Sequence, residues 1–534
     1  MDETFVDLLR ARAGDRGPDR YLLCGDSWLS YGDVAELAAG VAGGLFEAGV
    51  RPGDRIAVLL PNRQELLESF FGIAWAGGTF VPLNAYLKGE FLRHQLADSG
   101  ATVLITDRPG LRAARPVLAS ADVRHVFVVD SPADRPAEAA DDLESDGAIP
   151  FVTLHDAAPR AQSHHASPSD IAAIMYTSGT TGPAKGCTVS YGYFTTIGGV
   201  MVGEELVVPG DRIFTAMPLF HLAALGRVLN ALVAPASMVI EPRFSAGTHL
   251  KRAREVGATV LFGVGPMAEA LLAQPRRADD AELGLRLATF TPMTPASSAA
   301  FTERFGVQVI SETYGQTECA PSCTTPVRGP RRAGTVGRAA PHLIVEVHDE
   351  SDRPVAPGEV GEIVVRSKVP FGMFSGYWNN GAATAETWRN LWHHTGDLAR
   401  VDEDGFLTFV DRMKDALRRR GENVSSQELE KAIVTHPAIE QAAVVGAPSP
   451  LGEDDIHAHV VCGPGEVLDP GDFFTFLVAS VPYFALPRYV TVRSELPVTA
   501  TGRVQKHRLR DLGITENTWD YEELGMAVAP GDRR

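Results

Sequence analysis

The densest run of chemistry-bearing residues in the sequence is Tyr176-Thr177-Ser178-Gly179-Thr180-Thr181-Gly182-Pro183-Ala184-Lys185-Gly186. Three glycines and four hydroxyl residues lie beside a lysine, straight after the apolar run Ile171-Ala-Ala-Ile-Met175. A loop of this kind can wrap a polyphosphate with backbone N–H groups and hydroxyls while the ammonium neutralises it. It is not a Walker A loop, because two residues separate Gly182 from Lys185. The chain has 42 arginines and only 7 lysines, so a lysine in such a slot is informative.

Further along stands Glu312-Thr313-Tyr314-Gly315-Gln316-Thr317-Glu318. Tyr314 offers an aromatic plate for a purine, and Glu318 a hard oxygen for a phosphate-bound Mg2+. Asp397, in the turn Thr395-Gly396-Asp397, can accept hydrogen bonds from both hydroxyls of a ribose, with Arg412 in support. Taken singly, each of these is also an ordinary buried tyrosine, surface glutamate or turn. The weight lies in their joint occurrence.

Elements must bring these residues together. From 31 to 130, helical patterns alternate with short apolar runs (RIAVLLPN, TFVPLN, ATVLITD, HVFVVD), as in parallel α/β layers. Residues 131–169, rich in Pro, Ala, Asp and Ser, read as a surface connection. The alternation then resumes, with strands expected at 171–176, 237–240, 259–262 and 307–311 and a helix at 191–205, suggesting a second lobe. Between about 334 and 410 the pattern turns to strands and turns, and past 411 to a mixed tail. The expected fold is α/β: a large N-terminal domain of two α/β lobes plus a small β-rich subdomain (1–411), then a small α+β C-terminal domain (412–534) joined at a tight hinge.

The 534 residues are 45% hydrophobic and 22% charged, which allows a sizeable core and excludes wholesale disorder. A net charge of −18 disfavours nucleic acid or an anionic membrane as partner. Cys24, Cys187, Cys319, Cys323 and Cys462 lack zinc-site spacing and read as reduced thiols. The acidic start has no apolar core segment, so a cytoplasmic location is expected. The uncharged run 69–87 holds three glycines, Pro82 and Asn84, and is expected to be a buried helix leading into a buried strand.

Taken jointly, the motifs resemble the adenylate-forming superfamily of acyl-CoA synthetases, adenylation domains and beetle-type luciferases. The match continues through Leu219-Phe220-His221, Asp411-Arg412-Met413-Lys414-Asp415 and Leu496-Pro-Val-Thr-Ala-Thr-Gly502-Arg503-Val-Gln-Lys506 and covers roughly 20–510, most like crotonobetaine/carnitine-CoA ligase-like members. The resemblance implies ATP, Mg2+ and coenzyme A as cofactors, and a small-molecule acid as substrate. It implies that 177–182 and Lys185 cradle phosphates, that Thr291 and 314–317 contact the nucleotide, with Thr317 on the α-phosphate, and that Glu318 holds the metal. It further implies that His221 lines the acyl or thiol passage, that Phe262, Val264, Gly265 and Met267 wall the substrate pocket, and that the C-terminal domain swings about Lys414. A homodimer is compatible with it.

Two positions depart from the family. Phe290-Thr291-Pro292-Met293-Thr294 replaces a Gly/Ala-rich strand end at the adenine, and Arg503 stands where relatives usually carry the adenylation lysine, with Lys506, three residues on, expected to supply that catalytic cation and Arg503 a lesser share. The expected reaction is ATP-dependent adenylation of a carboxylic acid followed by transfer to coenzyme A. The departures leave room for activation of nitrite and transfer to an aryl amine, as in some natural-product pathways of secondary metabolism. Arg503 also motivates a third reading, a nucleotide-binding protein without catalysis.

Overall fold

Short β-branched runs separated by amphipathic helices become two seven-stranded sheets. The computed structural model describes residues 3–130, 147–177, 183–412, 416–420, 422–449, 453–497, 504–526 and 528. One sheet runs in the order Ile149–Pro150, His125–Val129, Val103–Asp107, Arg55–Leu59, Thr79–Pro82, Ile171–Thr177, Lys185–Ser190. The other runs Gln308–Ile310, Leu287–Phe290, Val260–Gly263, Arg212–Thr215, Ser237–Ile240, Arg20–Leu23, Trp28–Ser30. Each is parallel except for one antiparallel pair at an edge. Parallel strands are covered on both faces, which is why they read as unbroken apolar runs.

The lobes are not successive in sequence. The hairpin Ile171–Thr177/Lys185–Ser190 completes the first sheet, although its place in the chain suggests the second lobe, and Arg20–Leu23 with Trp28–Ser30 closes the second sheet. Local periodicity reveals a strand but not its partner, so this exchange of edges is invisible before folding. A shared aromatic core ties the helices between them: Phe5 stacks on Phe70 at 5.3 Å and on Tyr191 at 5.4 Å, and the Tyr191 hydroxyl donates to Ala74 O. Buried phenols thus keep a hydrogen-bond partner while contributing apolar area. The run 69–87 is the buried helix Gln64–Ala76 followed by the buried strand Thr79–Pro82, and among the described residues no helix is long and apolar enough to cross a membrane.

The expected β-rich subdomain is a five-stranded antiparallel sheet holding Leu343–His348, Gly361–Ser367, Trp392–Val401 and Leu407–Arg412. Beyond it, the hairpin Ala416–Arg419/Glu422–Ser425, the helix Ser426–Ile433 and a four-stranded sheet form the C-terminal unit. The loops that follow Thr177, Thr215, Gly263, Phe290 and Ile310 all leave the carboxyl ends of parallel strands, the side of an open α/β sheet where ligands bind.

Candidate active site

Thr177 and Lys185 are cross-strand partners that hold the two ends of the hydroxyl-rich loop. Ser178, Gly179, Thr180, Thr181 and Gly182 lie outside the described residues. Facing this pair is Glu318, on the loop after Gln308–Ile310, with its side chain buried at 7% exposure. Its Oε1 accepts the Tyr377 hydroxyl at 2.8 Å and the Thr177 hydroxyl at 3.4 Å, and the Lys185 Nζ sits 5.1 Å from the Tyr377 ring centre. Tyr193 pins the backbone on either side, donating to Thr317 O at 3.1 Å and accepting from Ala320 N. Burial pushes the Glu318 carboxyl above the usual range, partly offset by the Tyr377 hydrogen bond and by Lys185.

A desolvated carboxylate whose side-chain hydrogen-bond partners are hydroxyls suits a hard divalent cation. Among the described residues no group of three or more His, Cys, Asp or Glu side chains could hold a metal alone. That combination fits Mg2+, which is commonly held by one or two carboxylates together with substrate phosphates.

Asp397 is the second node. The Tyr314 hydroxyl and Gln316 Nε2 both donate to its Oδ2, at 2.7 and 2.8 Å, and Gln316 Nε2 also reaches Thr395 O at 2.9 Å. Arg412 lies opposite Asp397 in the strand register. Segment 314–318 thereby spans both nodes, with its aromatic end on Asp397 and its acidic end on Thr177. Gly315 is exposed between them, and Thr317 is half-buried.

The loop 291–294 and the start of the helix Gly265–Leu272 touch. The Thr291 hydroxyl donates to Ser311 O at 3.2 Å, and a Cβ on Gly265 would lie 1.8 Å from Pro292 O, so only glycine permits this approach. Phe262 and Met267 are buried, and Val264 caps the helix Gly265–Leu272 half-buried. His221 faces the C-terminal unit, where its Nε2 meets Glu422 Oε1 at 3.1 Å. A second bridge runs from Ala184 N to Glu428 Oε1 at 3.0 Å, while Ala184 O pairs with His94 Nε2 at 2.8 Å.

Lys506 is not brought to this centre. Its ammonium is held by Glu430 and by Ser426, each at 2.7 Å, all three within the C-terminal unit. A rigid swing of that unit carries all three together. Arg503 and Lys414 lie outside the described residues. Sequence reasoning missed Tyr377, Tyr193, Glu422 and Glu428. Only Tyr377, in Gly376-Tyr377-Trp378, carries even a weak signal, an aromatic pair behind a turn glycine.

A sequence model described as AMP-binding enzyme matches residues 9–378. The chain belongs to the AMP-binding enzyme family. A companion model, the AMP-binding enzyme C-terminal domain, matches residues 428–503. The feruloyl-CoA synthase of an Amycolatopsis species is 34% identical over 491 residues, 91% of this chain and 94% of that protein. The crotonobetaine/carnitine–CoA ligase of Shigella sonnei is 32% identical over 476 residues, covering 87% and 90%. The o-succinylbenzoate CoA synthetase of Bacillus subtilis superposes with a TM-score of 0.80 at 24% identity, over 96% of this chain and 99% of that one, which supports the fold. As a member of the AMP-binding family, the chain is an ATP-dependent ligase of the AMP-forming, acid–CoA ligase type.

Proposed function

We propose that the protein activates a carboxylic acid as its acyl adenylate and passes the acyl group to the thiol of coenzyme A. The observation that carries this reading is the segment 314–318, whose ends engage Asp397 and, through Glu318, Thr177 at the start of the hydroxyl-rich run. Carboxylates do not expel oxide, so a leaving group must be installed first. An oxygen of the acid forms a bond to the α-phosphorus as the bond to the β-phosphate breaks and pyrophosphate leaves. Lys185 and residues 177–182 hold the phosphates, Asp397 accepts from the ribose, and the terminal motif contributes a cation, for which Arg503 is the better placed by sequence. Mg2+ held by Glu318 would supply further neutralisation of phosphate charge.

In the second step the thiol sulfur bonds to the acyl carbon and AMP departs. Contact of Glu422 with His221, and of Glu428 with Ala184, supports a C-terminal domain (412–534) that docks on the acyl passage and swings about Lys414 between steps. The names of the feruloyl and crotonobetaine/carnitine relatives favour coenzyme A as acceptor. A pyrophosphate-release screen over alkyl acids, aryl acids and nitrite, with and without coenzyme A and amines, tests the proposal. Acid-dependent release matched by loss of free thiol is expected. Release that needs nitrite and an amine, or no release at all, would overturn it.

A further inference from the structure

Four arginines are buried among the described residues, and three are paired with a carboxylate: Arg108 with Asp130 at 2.6 Å, Arg304 with Asp280 at 2.7 Å and Arg419 with Asp455 at 3.2 Å. Arg227 is the exception. It is 9% exposed on the helix Leu222–Val233, which begins directly after His221. Its Nη1 donates to Asn230 Oδ1 at 2.8 Å, while its Nε is buried with no partner. The Asn230 amide is spent on Ile197 O and Gly198 O, so its oxygen is fixed toward the arginine. Burial alone draws the guanidinium down to about 10, with no acidic neighbour acting against it.

The guanidinium carbon sits 4.3 Å from the ring centre of Phe262, in the strand Val260–Gly263 that leads into the helix Gly265–Leu272. A cation resting on an aromatic face gains something, but far less than desolvation of an unpaired charge costs. Apart from Asn230, the buried positions one turn away on the helix, Ala224 and Ala231, are apolar, so packing alone would be served as well by leucine or methionine. A charge kept here without a partner points to a partner that arrives with the substrate.

We infer that Arg227 recognises a second anionic group at the far end of the acid, so that the substrates of this site are diacids, one carboxylate being activated and the other held. This rests on the adenylation proposed above. Arg227 follows His221 by six residues, about 9 Å along a helix axis, and helical side chains lean back toward the N-terminus. The span suits a medium-chain or aryl diacid better than a very short one.

Matched acids test the inference on the full-length enzyme: octanoate against suberate and cinnamate against 4-carboxycinnamate, compared by kcat/KM for pyrophosphate release. The wild type is expected to favour the diacid by about 10-fold or more in at least one pair, since a site built around a polar contact rejects the analogue lacking it. Arg227→Met should abolish or invert that ratio, and Arg227→Lys should restore part of it. Preference for the monoacid in both pairs would overturn the inference from the wild type alone, whether or not the variants fold. An unchanged ratio in a folded Arg227→Met would overturn it too, leaving the arginine as a cover for Phe262. Release from no acid at all would refute adenylation itself, and the inference with it.

Discussion

Replacing Tyr377 with Phe removes one hydroxyl from the Glu318 carboxylate and little else. That hydroxyl donates to Glu318 Oε1 at 2.8 Å in a site where burial already raises the carboxyl above its usual range. A hydrogen bond to a charged group is worth about 1.5–3 kcal/mol, and each pKa unit corresponds to about 1.4 kcal/mol. Its loss should therefore push the Glu318 carboxyl further above the usual range. In the proposed mechanism ionised Glu318 engages Mg-ATP, so the acid limb of kcat/KM for pyrophosphate release, which reports the free enzyme, should move to higher pH, with kcat/KM on that limb falling by about 10-fold or more. Stability follows the same sign. A carboxyl raised in the folded state gives a contribution fully present below its unfolded pKa and lost as pH rises through the folded value, so Tyr377→Phe should lose more stability at alkaline than at acidic pH. An acid limb that stays where it is in the wild type would show that the phenol does not support the ionised carboxylate.

Asp397→Ala should weaken ATP binding at least several-fold in calorimetry, because it removes a charged acceptor and strands the Tyr314 and Gln316 donors; unchanged affinity would take Asp397 out of the nucleotide site. Arg503→Ala should slow pyrophosphate release by about 10²-fold, the scale of one lost transition-state donor. Lys506→Ala should cost mainly about 1 kcal/mol of folding stability through its pair with Glu430. The opposite pattern in the two variants would hand the adenylation role to Lys506. Burial holds His249 and His342 down to about 4 and His393 to about 3. Groups lowered in the folded state contribute stability that is present above their unfolded value near 6.5 and lost as pH falls toward the folded value, about 3–5 kcal/mol for each histidine. Melting temperature should therefore drop steeply between about pH 6.5 and 4, and a flat profile would contradict the burial of these rings as neutral groups.

The parts of the site that were legible in the sequence are those carried by contiguous residues. Lys185 stood out because lysine is scarce, and 314–318 because an aromatic, an amide, a hydroxyl and a carboxylate follow one another. Glu318 owes its environment to Tyr377, 59 positions away, and His221 meets Glu422 at a separation of 201. Single-sequence patterns carry no record of such pairs. The same limit explains why Ile171–Thr177 is recognisable as a strand while its place in the first sheet is not. Lys506, a rare residue in a suggestive motif, pairs within its own domain with Glu430 and Ser426, partners its place in the sequence does not reveal. Arg227, inside an apolar helical run, has a meaning only folding reveals, since the lack of a counter-ion is a property of its surroundings.

The path of the acid's oxygen tests the central claim most directly. An acid carrying heavy-isotope-labelled carboxylate oxygens is turned over with Mg-ATP and coenzyme A, and AMP and pyrophosphate are weighed by mass spectrometry. Attack on the α-phosphorus followed by thiol attack at the acyl carbon leaves one labelled oxygen on each AMP and none in pyrophosphate. Label in pyrophosphate, or unlabelled AMP beside newly formed thioester, would contradict activation of the acid through an acyl adenylate.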